Sequence, residues 1–212
     1  MSLKLLTISP CILSHPWYQR WEKGEVSRDA LRTYAGQYYW QVSHFPRYLS
    51  RLHSQMEDLS QRQVILGNLL DEENKNAPHP ELWLDFAEAL GLDRMSVMQS
   101  QPGEAVSKLV AAFQSLVSSS PEEGLGAILA YESQVPEVAR FKSEALKKYY
   151  LQDAQASQGL RFFEVHEKAD IWHTQELESL ITRLSPEQKE RAQNAANSAC
   201  SALWEFLDAM PA

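Results

Sequence analysis

The sequence predicts an all-α protein, a single domain over residues 1–212 built as one bundle of about seven or eight helices. Three observations carry this expectation. Glycine occurs only 8 times, and no Val/Ile/Thr-rich stretch alternates apolar and polar residues between turn signals, as half-buried strands do. Leu, Ala, Glu, Gln and Lys dominate, and all are good helix formers. Apolar residues recur at three- and four-residue spacing through most of the chain, which marks helices with one buried face.

Taken in order, Ser27-Arg28-Asp29-Ala30 opens a helix to about Ser54, with Leu31, Tyr34, Tyr38, Val42, Phe45 and Leu49 as its buried stripe. Met56 to about Asn76 reads as a second helix. Pro78 and Pro80 interrupt there, and a third begins at Pro80, runs through Leu82, Phe86 and Leu90, and stops at Gly91. A loop at Ser100 to Gly103 precedes a helix to Ser120. Ser120-Pro121-Glu122-Glu123 then combines an N-cap, a first-turn proline and acids that suit the helix dipole, starting a helix to about Gln134. Pro136 allows another through Tyr150, Gln155 to Leu184 forms the next, and Ser185-Pro186-Glu187 caps a last one ending near Met210. No linker and no repeat of 20–50 residues divides the chain.

Composition excludes several classes of function. A net charge of −8 repels phosphate backbones, so nucleic acid is not an expected partner. No apolar run approaches the ~20 residues of a membrane span. The start, MSLKLLTISP, lacks the apolar core and cleavage site of a secretory signal, so cytoplasmic residence is the default expectation. Cys11 and Cys200 are too few for a disulfide framework or a zinc–thiolate site.

The chemistry lies in polar residues set on apolar faces. In F-F-E-V-H-E-K-A-D-I-W-H, His166, Asp170 and His173 are spaced by four and three residues, so they share one narrow stripe of a helix. Phe162, Phe163 and Leu177 continue that stripe, which therefore faces the core. Three polar groups in register there are costly to bury without a partner, and two histidines with a carboxylate suit a first-row divalent metal. Glu72 and His79 are seven apart, but the flanking prolines place His79 at the opening of the next helix; alone, an acidic helix end followed by a His-Pro turn is commonplace. Glu132 follows the apolar run Ala127 to Tyr131 and needs a buried partner, whether an arginine, a cap or a metal. Together, three histidines and three carboxylates give three protein ligands to each of two metals, a doubling of the 2-His-1-carboxylate pattern with positions left open for dioxygen and substrate. The absence of cysteine ligands disfavours iron–sulfur clusters and structural zinc.

These residues resemble a known family, the heme-oxygenase-like di-iron proteins related to the TENA and pyrroloquinoline-quinone synthase C folds. Within it, the chain resembles the subfamily of the chlamydial protein associating with death domains and its bacterial homologues. The likeness covers nearly the whole chain and rests on H-P-W-Y-Q-R-W from His15, N-L-L-D-E-E with the later H-P-E-L-W, A-Y-E-S-Q-V-P-E-V-A-R-F-K, and F-F-E-V-H-E-K-A-D-I-W-H. It implies a seven-helix heme-oxygenase-like bundle with two iron ions, or a manganese/iron pair, held by Glu72, His79, Glu132, His166, Asp170 and His173. It also implies oxygen-dependent synthesis of 4-aminobenzoate for folate, with dioxygen and an external reductant as cosubstrates. In that subfamily a tyrosine of the protein supplies the ring and a lysine the amino group. The matching positions are Tyr18 and Lys142, with Tyr131 and Tyr34 as neighbouring tyrosines able to relay electrons or protons. From spacing alone, Lys142 reads as a surface lysine beside Arg140, and Tyr18 as a core aromatic.

Other readings stand beside this one. A thiaminase of the TENA type needs a nucleophilic cysteine, and neither Cys11 nor Cys200 lies in a matching motif. A haem oxygenase needs a proximal histidine, for which His15 and His44 are available, but leaves Glu72, Glu132 and Asp170 unexplained. A di-iron oxygenase acting on an external fatty acid or amine shares the ligands but has no need of Tyr18 or Lys142. A non-enzymatic helical interaction module would show an exposed apolar patch and no metal requirement. The last helix, with Ala195, Ala199, Leu203 and Phe206 on one face, offers a surface across which a homodimer could pack.

Overall fold

The structure, a computed structural model, describes residues 6–152 and 156–211, apart from the side chains of residues 156 and 168–170. The described residues form helices and connecting turns, with no strand. A short 3₁₀ turn at Ile12–Ser14 leads into α1 (Pro16–Glu22) and the long α2 (Arg28–Gln55). There follow α3 (Leu59–Glu72), α4 (His79–Ala89), α5 (Arg94–Gln99), α6 (Glu104–Ser119), α7 (Pro121–Glu132) and α8 (Val135–Ala145). A π-helical turn at Leu146–Tyr150 ends α8, and α9 (Ala156–Thr182) and α10 (Pro186–Asp208) complete the chain. The eight long helices, α2 to α4 and α6 to α10, answer to the bundle expected.

The cap signals mark true helix starts. Ser27, Ser120 and Ser185 each accept a hydrogen bond from a backbone N–H in the first turn, and Ser185 with Gln188 closes a reciprocal capping box. Gly91 carries φ +88° after α4, a left-handed stop that glycine adopts without strain. Three boundaries differ from expectation. The second helix begins at Leu59, not Met56, because the Asp58 side chain takes the Gln61 N–H and caps it there. It ends at Glu72, and α4 begins at His79, where the flanking prolines place that residue, rather than at Pro80. Two short helices, α1 and α5, escape a reading based on periodicity because seven and six residues barely complete two turns.

Helix α7 is the axis of the packing. Its residues from Glu122 to Glu132 are buried with the exception of Glu123, and α6, α9 and α10 surround it. A helix apolar on all sides can only be a core helix. Helix α10 lies close along it: a Cβ at Gly126 would collide with the Ala192 carbonyl. Ala195, Ala199, Leu203 and Phe206 are buried within the chain, so that face of α10 is spent on the protein's own core and is not free to pack across a dimer. The helices α4 and α8 pack along α9, and α3, α4 and α6 pack along α2. The ends of α3 and α7, the start of α4 and the middle of α9 thereby face one interior region. No described helix is long and apolar enough to cross a membrane.

Candidate metal centre and the tyrosine–lysine cluster beside it

Helix α3 delivers Glu72 in its last turn, and Pro78 starts α4 so that His79 turns back to meet it. His79 Nδ1 stands 2.9 Å from Glu72 Oε1, and His166 Nε2 from α9 lies 3.9 Å from the same oxygen. Ligand atoms of these three residues all fall within 4.8 Å of one another, and all three side chains are buried. Two donors bound at about 2.1 Å to one ion sit roughly 3 to 3.5 Å apart, so the group is close to metal-binding spacing. Beside it, His173 Nδ1 faces Glu132 Oε2 at 3.7 Å. Five of the six expected ligands are thus neighbours. The side chain of the sixth, Asp170, lies outside the described residues.

The electrostatics of this region fit a cation. Burial pushes the Glu72 carboxyl well above the usual carboxylate range, and the nearby Glu132 charge adds to it. Burial also holds His79 down to about 4 and His166 down to about 3. Burial is the largest cause in each case, and it outweighs the opposing charges of His173 and Glu132, so acid and base are each driven toward their neutral forms. His79 Nδ1 is buried and, despite its proximity to Glu72, makes no hydrogen bond among the described residues. An orphaned imidazole nitrogen facing a carboxylate, with only nitrogen and oxygen donors nearby, suits a divalent metal of the iron–manganese type. His166 is locked for such a role, because its Nδ1–H donates to the Phe162 carbonyl at 2.7 Å and leaves Nε2 with a free lone pair.

The tyrosines and lysine singled out by resemblance come together in a second cluster. Lys142, in the last turn of α8, is buried rather than exposed beside Arg140, as spacing alone would have it. Its Nζ donates to the Tyr34 hydroxyl at 2.7 Å and to the Tyr18 hydroxyl at 2.9 Å, and those two hydroxyls are 3.1 Å apart. The amine also lies 4.4 Å from the centre of the Tyr18 ring. Burial lowers the Lys142 pKa well below the usual lysine range. It raises both phenols well above theirs, so all three groups are favoured neutral. Tyr38 stacks on Tyr34 with ring centres 5.1 Å apart, and its hydroxyl donates to Tyr131 at 3.4 Å.

One aromatic layer separates the two clusters. Trp83, one turn after His79 on α4, packs 5.3 Å from Tyr38 and 5.9 Å from Tyr34. The Phe162 ring lies 4.9 Å from Trp83 and 4.0 Å from His166. These rings, with Tyr18, Tyr38, Tyr131 and Lys142, line a cavity of about 20 Å³. That is room for about one water, far below the several hundred Å³ of a pocket for a small-molecule ligand.

Four residues near these clusters were not expected from sequence. Asn68 donates to Glu132 Oε1 at 2.8 Å, and Asp71 Oδ2 accepts from His173 Nε2 at 3.0 Å. The spacing of Asn68 from Glu72 puts them on one face of α3, a signal that could have found it; Trp83 stands likewise four residues after His79. Tyr38 belonged to the aromatic stripe without a role. The histidines open to a haem reading have other duties: His15 caps α1 and pairs with Asp208, and His44 Nδ1 donates to the Trp40 carbonyl. Cys200 is buried, its thiol pushed up to about 11, which leaves little thiolate to act as a nucleophile at neutral pH.

Comparison with known proteins agrees with this architecture. Residues 4–211 match the model of the TENA/THI-4/PQQC family. A 4-aminobenzoate synthase of Nitrosomonas europaea is 39% identical over 210 residues, covering 93% of this chain and 84% of that protein. One from Chlamydia muridarum is 36% identical over 198 residues, with 93% and 83% covered. Among solved structures, a Shewanella denitrificans domain with a heme oxygenase-like fold superposes with a TM-score of 0.76 at 19% identity, covering 93% of this chain and 84% of that one. By sequence along almost its whole length, and by a helical bundle of the heme oxygenase-like type, the chain belongs to the TENA/THI-4/PQQC family.

Proposed function

We propose that this protein is an oxygen-dependent enzyme of two iron ions, or of a manganese/iron pair, that makes 4-aminobenzoate. In this reading the ring comes from its own Tyr18 and the amino group from Lys142. The observation that carries the reading is the buried contact of 2.9 Å between the Lys142 amine and the Tyr18 hydroxyl. Relatives at 39% and 36% identity named 4-aminobenzoate synthase support the product. Glu72, His79 and His166 would hold one ion; Glu132 and His173, with Asp170 in the expected ligand set, would hold the other.

When bound, the metal pair supplies dioxygen activation, drawing electrons from an external reductant. The chain's own residues arrange the rest. An amine attacks only through its lone pair, and the lowered pKa keeps Lys142 in that form. Tyr34 holds the amine and the Tyr18 hydroxyl together by bonding both. Trp17, Trp21 and Phe141 surround the Tyr18 ring, with Phe141 nearest at 5.4 Å between centres, and fix its plane. The cavity admits about one water and so limits competing hydrolysis.

The test is aerobic reaction of iron- or manganese/iron-loaded protein with reductant, read by mass spectrometry. With ring-labelled tyrosine in the chain, labelled 4-aminobenzoate is expected, at no more than one per chain. Tyr18→Phe and Lys142→Arg should each abolish it, since arginine stays protonated. Repeated turnover, or full product from Tyr18→Phe, would instead place the substrate outside the protein.

A further inference from the structure

Helix α3 does more than supply Glu72. Asn68, Asp71 and Glu72 sit at i, i+3 and i+4, so one stretch of this helix addresses both halves of the metal centre. Asn68 is 3% exposed, and its Nδ2 donates to Glu132 Oε1, leaving Oε2 to face His173. Asp71 reaches from the protein surface, with its side chain 57% exposed, and takes the Nε2–H of His173 at 3.0 Å. A carboxylate offers only lone pairs, so the proton of His173 belongs on Nε2 and its lone pair on Nδ1, toward Glu132. His166, seven residues earlier on the same helix, has the opposite arrangement, with Nδ1 protonated toward Phe162 and Nε2 free. The two histidines of α9 are thus set in different tautomers by different partners, one from their own helix and one from α3.

We propose that Asn68 and Asp71 are positioning residues that preset Glu132 and His173 to hold the second metal ion. Neither hydrogen bond reaches the Glu72–His79–His166 group, on which Asp71 acts only through its charge. Each of the two hydrogen bonds engages one atom of a ligand side chain and aims the other at a common point. Partners of this kind fix ring orientation and tautomer, and their removal typically weakens metal binding by about 10- to 100-fold. Because the two bonds serve only one half of the centre, the effect is asymmetric. The proposal rests on the two-metal reading above, and its test separates the two.

Metal-free protein is titrated with Mn²⁺ alone, following ions bound per chain and the Mn²⁺ electron paramagnetic resonance spectrum. Wild type should take up two ions and show the broadened spectrum of a coupled pair. Asp71→Ala and Asn68→Ala should each weaken the second ion by about 10- to 100-fold, and far more than the first. At low Mn²⁺ they should show the six-line spectrum of an isolated ion. Asp71→Asn keeps an oxygen acceptor for Nε2–H and should recover most of the second-ion affinity. Asp71 lies half in solvent, so its truncation leaves no buried void, and the circular dichroism of metal-free Asp71→Ala should match wild type. If Asp71→Ala and Asn68→Ala both bind two ions with wild-type affinity and coupling, the proposal is overturned. A wild-type protein that binds no Mn²⁺ or Fe²⁺ would overturn the metal centre itself.

Discussion

His79 and His166 occupy the core at pKa values of about 4 and 3, against 6.5 for an exposed imidazole. Between those values and 6.5 the unfolded chain binds protons that the folded, metal-free protein refuses, so these histidines lower stability as pH falls through that window. Glu72 acts in the opposite sense. Its carboxyl is raised above 4.5, so the folded state holds a proton the unfolded chain has lost, and its burial costs stability as pH rises past 4.5. Thermal unfolding of chelator-treated protein between pH 7 and pH 4.5 separates these contributions. His166→Gln should show a shallower fall in Tm toward acid than wild type, and Glu72→Gln a steeper one. Equal slopes in all three proteins would mean that these groups are solvated in the metal-free state.

At the scale of the helix, α7 shows how packing positions the backbone of a candidate ligand, Glu132, whose carboxylate Asn68 then engages. Glu132 ends a helix whose neighbours touch it on every side, and Gly126 lets the α10 backbone approach at Ala192. Alanine is intrinsically the better helix former by about 1 kcal/mol, yet here its methyl group would strike a backbone carbonyl, which cannot turn aside. Gly126→Ala should therefore destabilise by about 1 to 3 kcal/mol, a drop of several degrees in Tm, while Gly67→Ala on the open face of α3 should not. That contrast is measured by denaturant or thermal unfolding of the two variants side by side. Packing of this kind is invisible in the sequence, where both residues are glycines inside helices.

At the scale of the whole molecule, the candidate centre joins helices distant along the chain. Glu72, His79, Glu132 and His166 come from α3, α4, α7 and α9, so an ion bound among them ties together the two halves of the bundle. Binding to the folded state alone stabilises it by RT ln(1 + [L]/Kd), about 2.7 kcal/mol at a hundredfold excess over Kd. Added Fe²⁺ or Mn²⁺ should raise Tm by several degrees, and chelator should reverse the gain. His79→Ala combined with His166→Ala should remove most of this response; a full metal-induced shift in that double variant would place the ions elsewhere. Such a response also distinguishes a metalloenzyme from a helical binding module, which would be indifferent to metal.

The helical class, the caps at Ser27, Ser120 and Ser185, and the inward stripe of His166 and His173 were all legible in the sequence, because each depends on residues within a few positions of one another. Local spacing also showed that Glu132 needed a buried partner and that His79 opens a new helix. It could not show that Lys142 turns inward onto Tyr18 and Tyr34, since α8 breaks from α7 at Ser133 and Gln134 and its facing is set by packing against α9. Nor could it show that Asp71, an exposed acid by composition, holds a histidine 102 positions away. The face of α10 that looked free for a partner was claimed by α7 for the same reason. Helix formation is decided by nearest neighbours, whereas which groups share a desolvated interior is decided by how the helices pack.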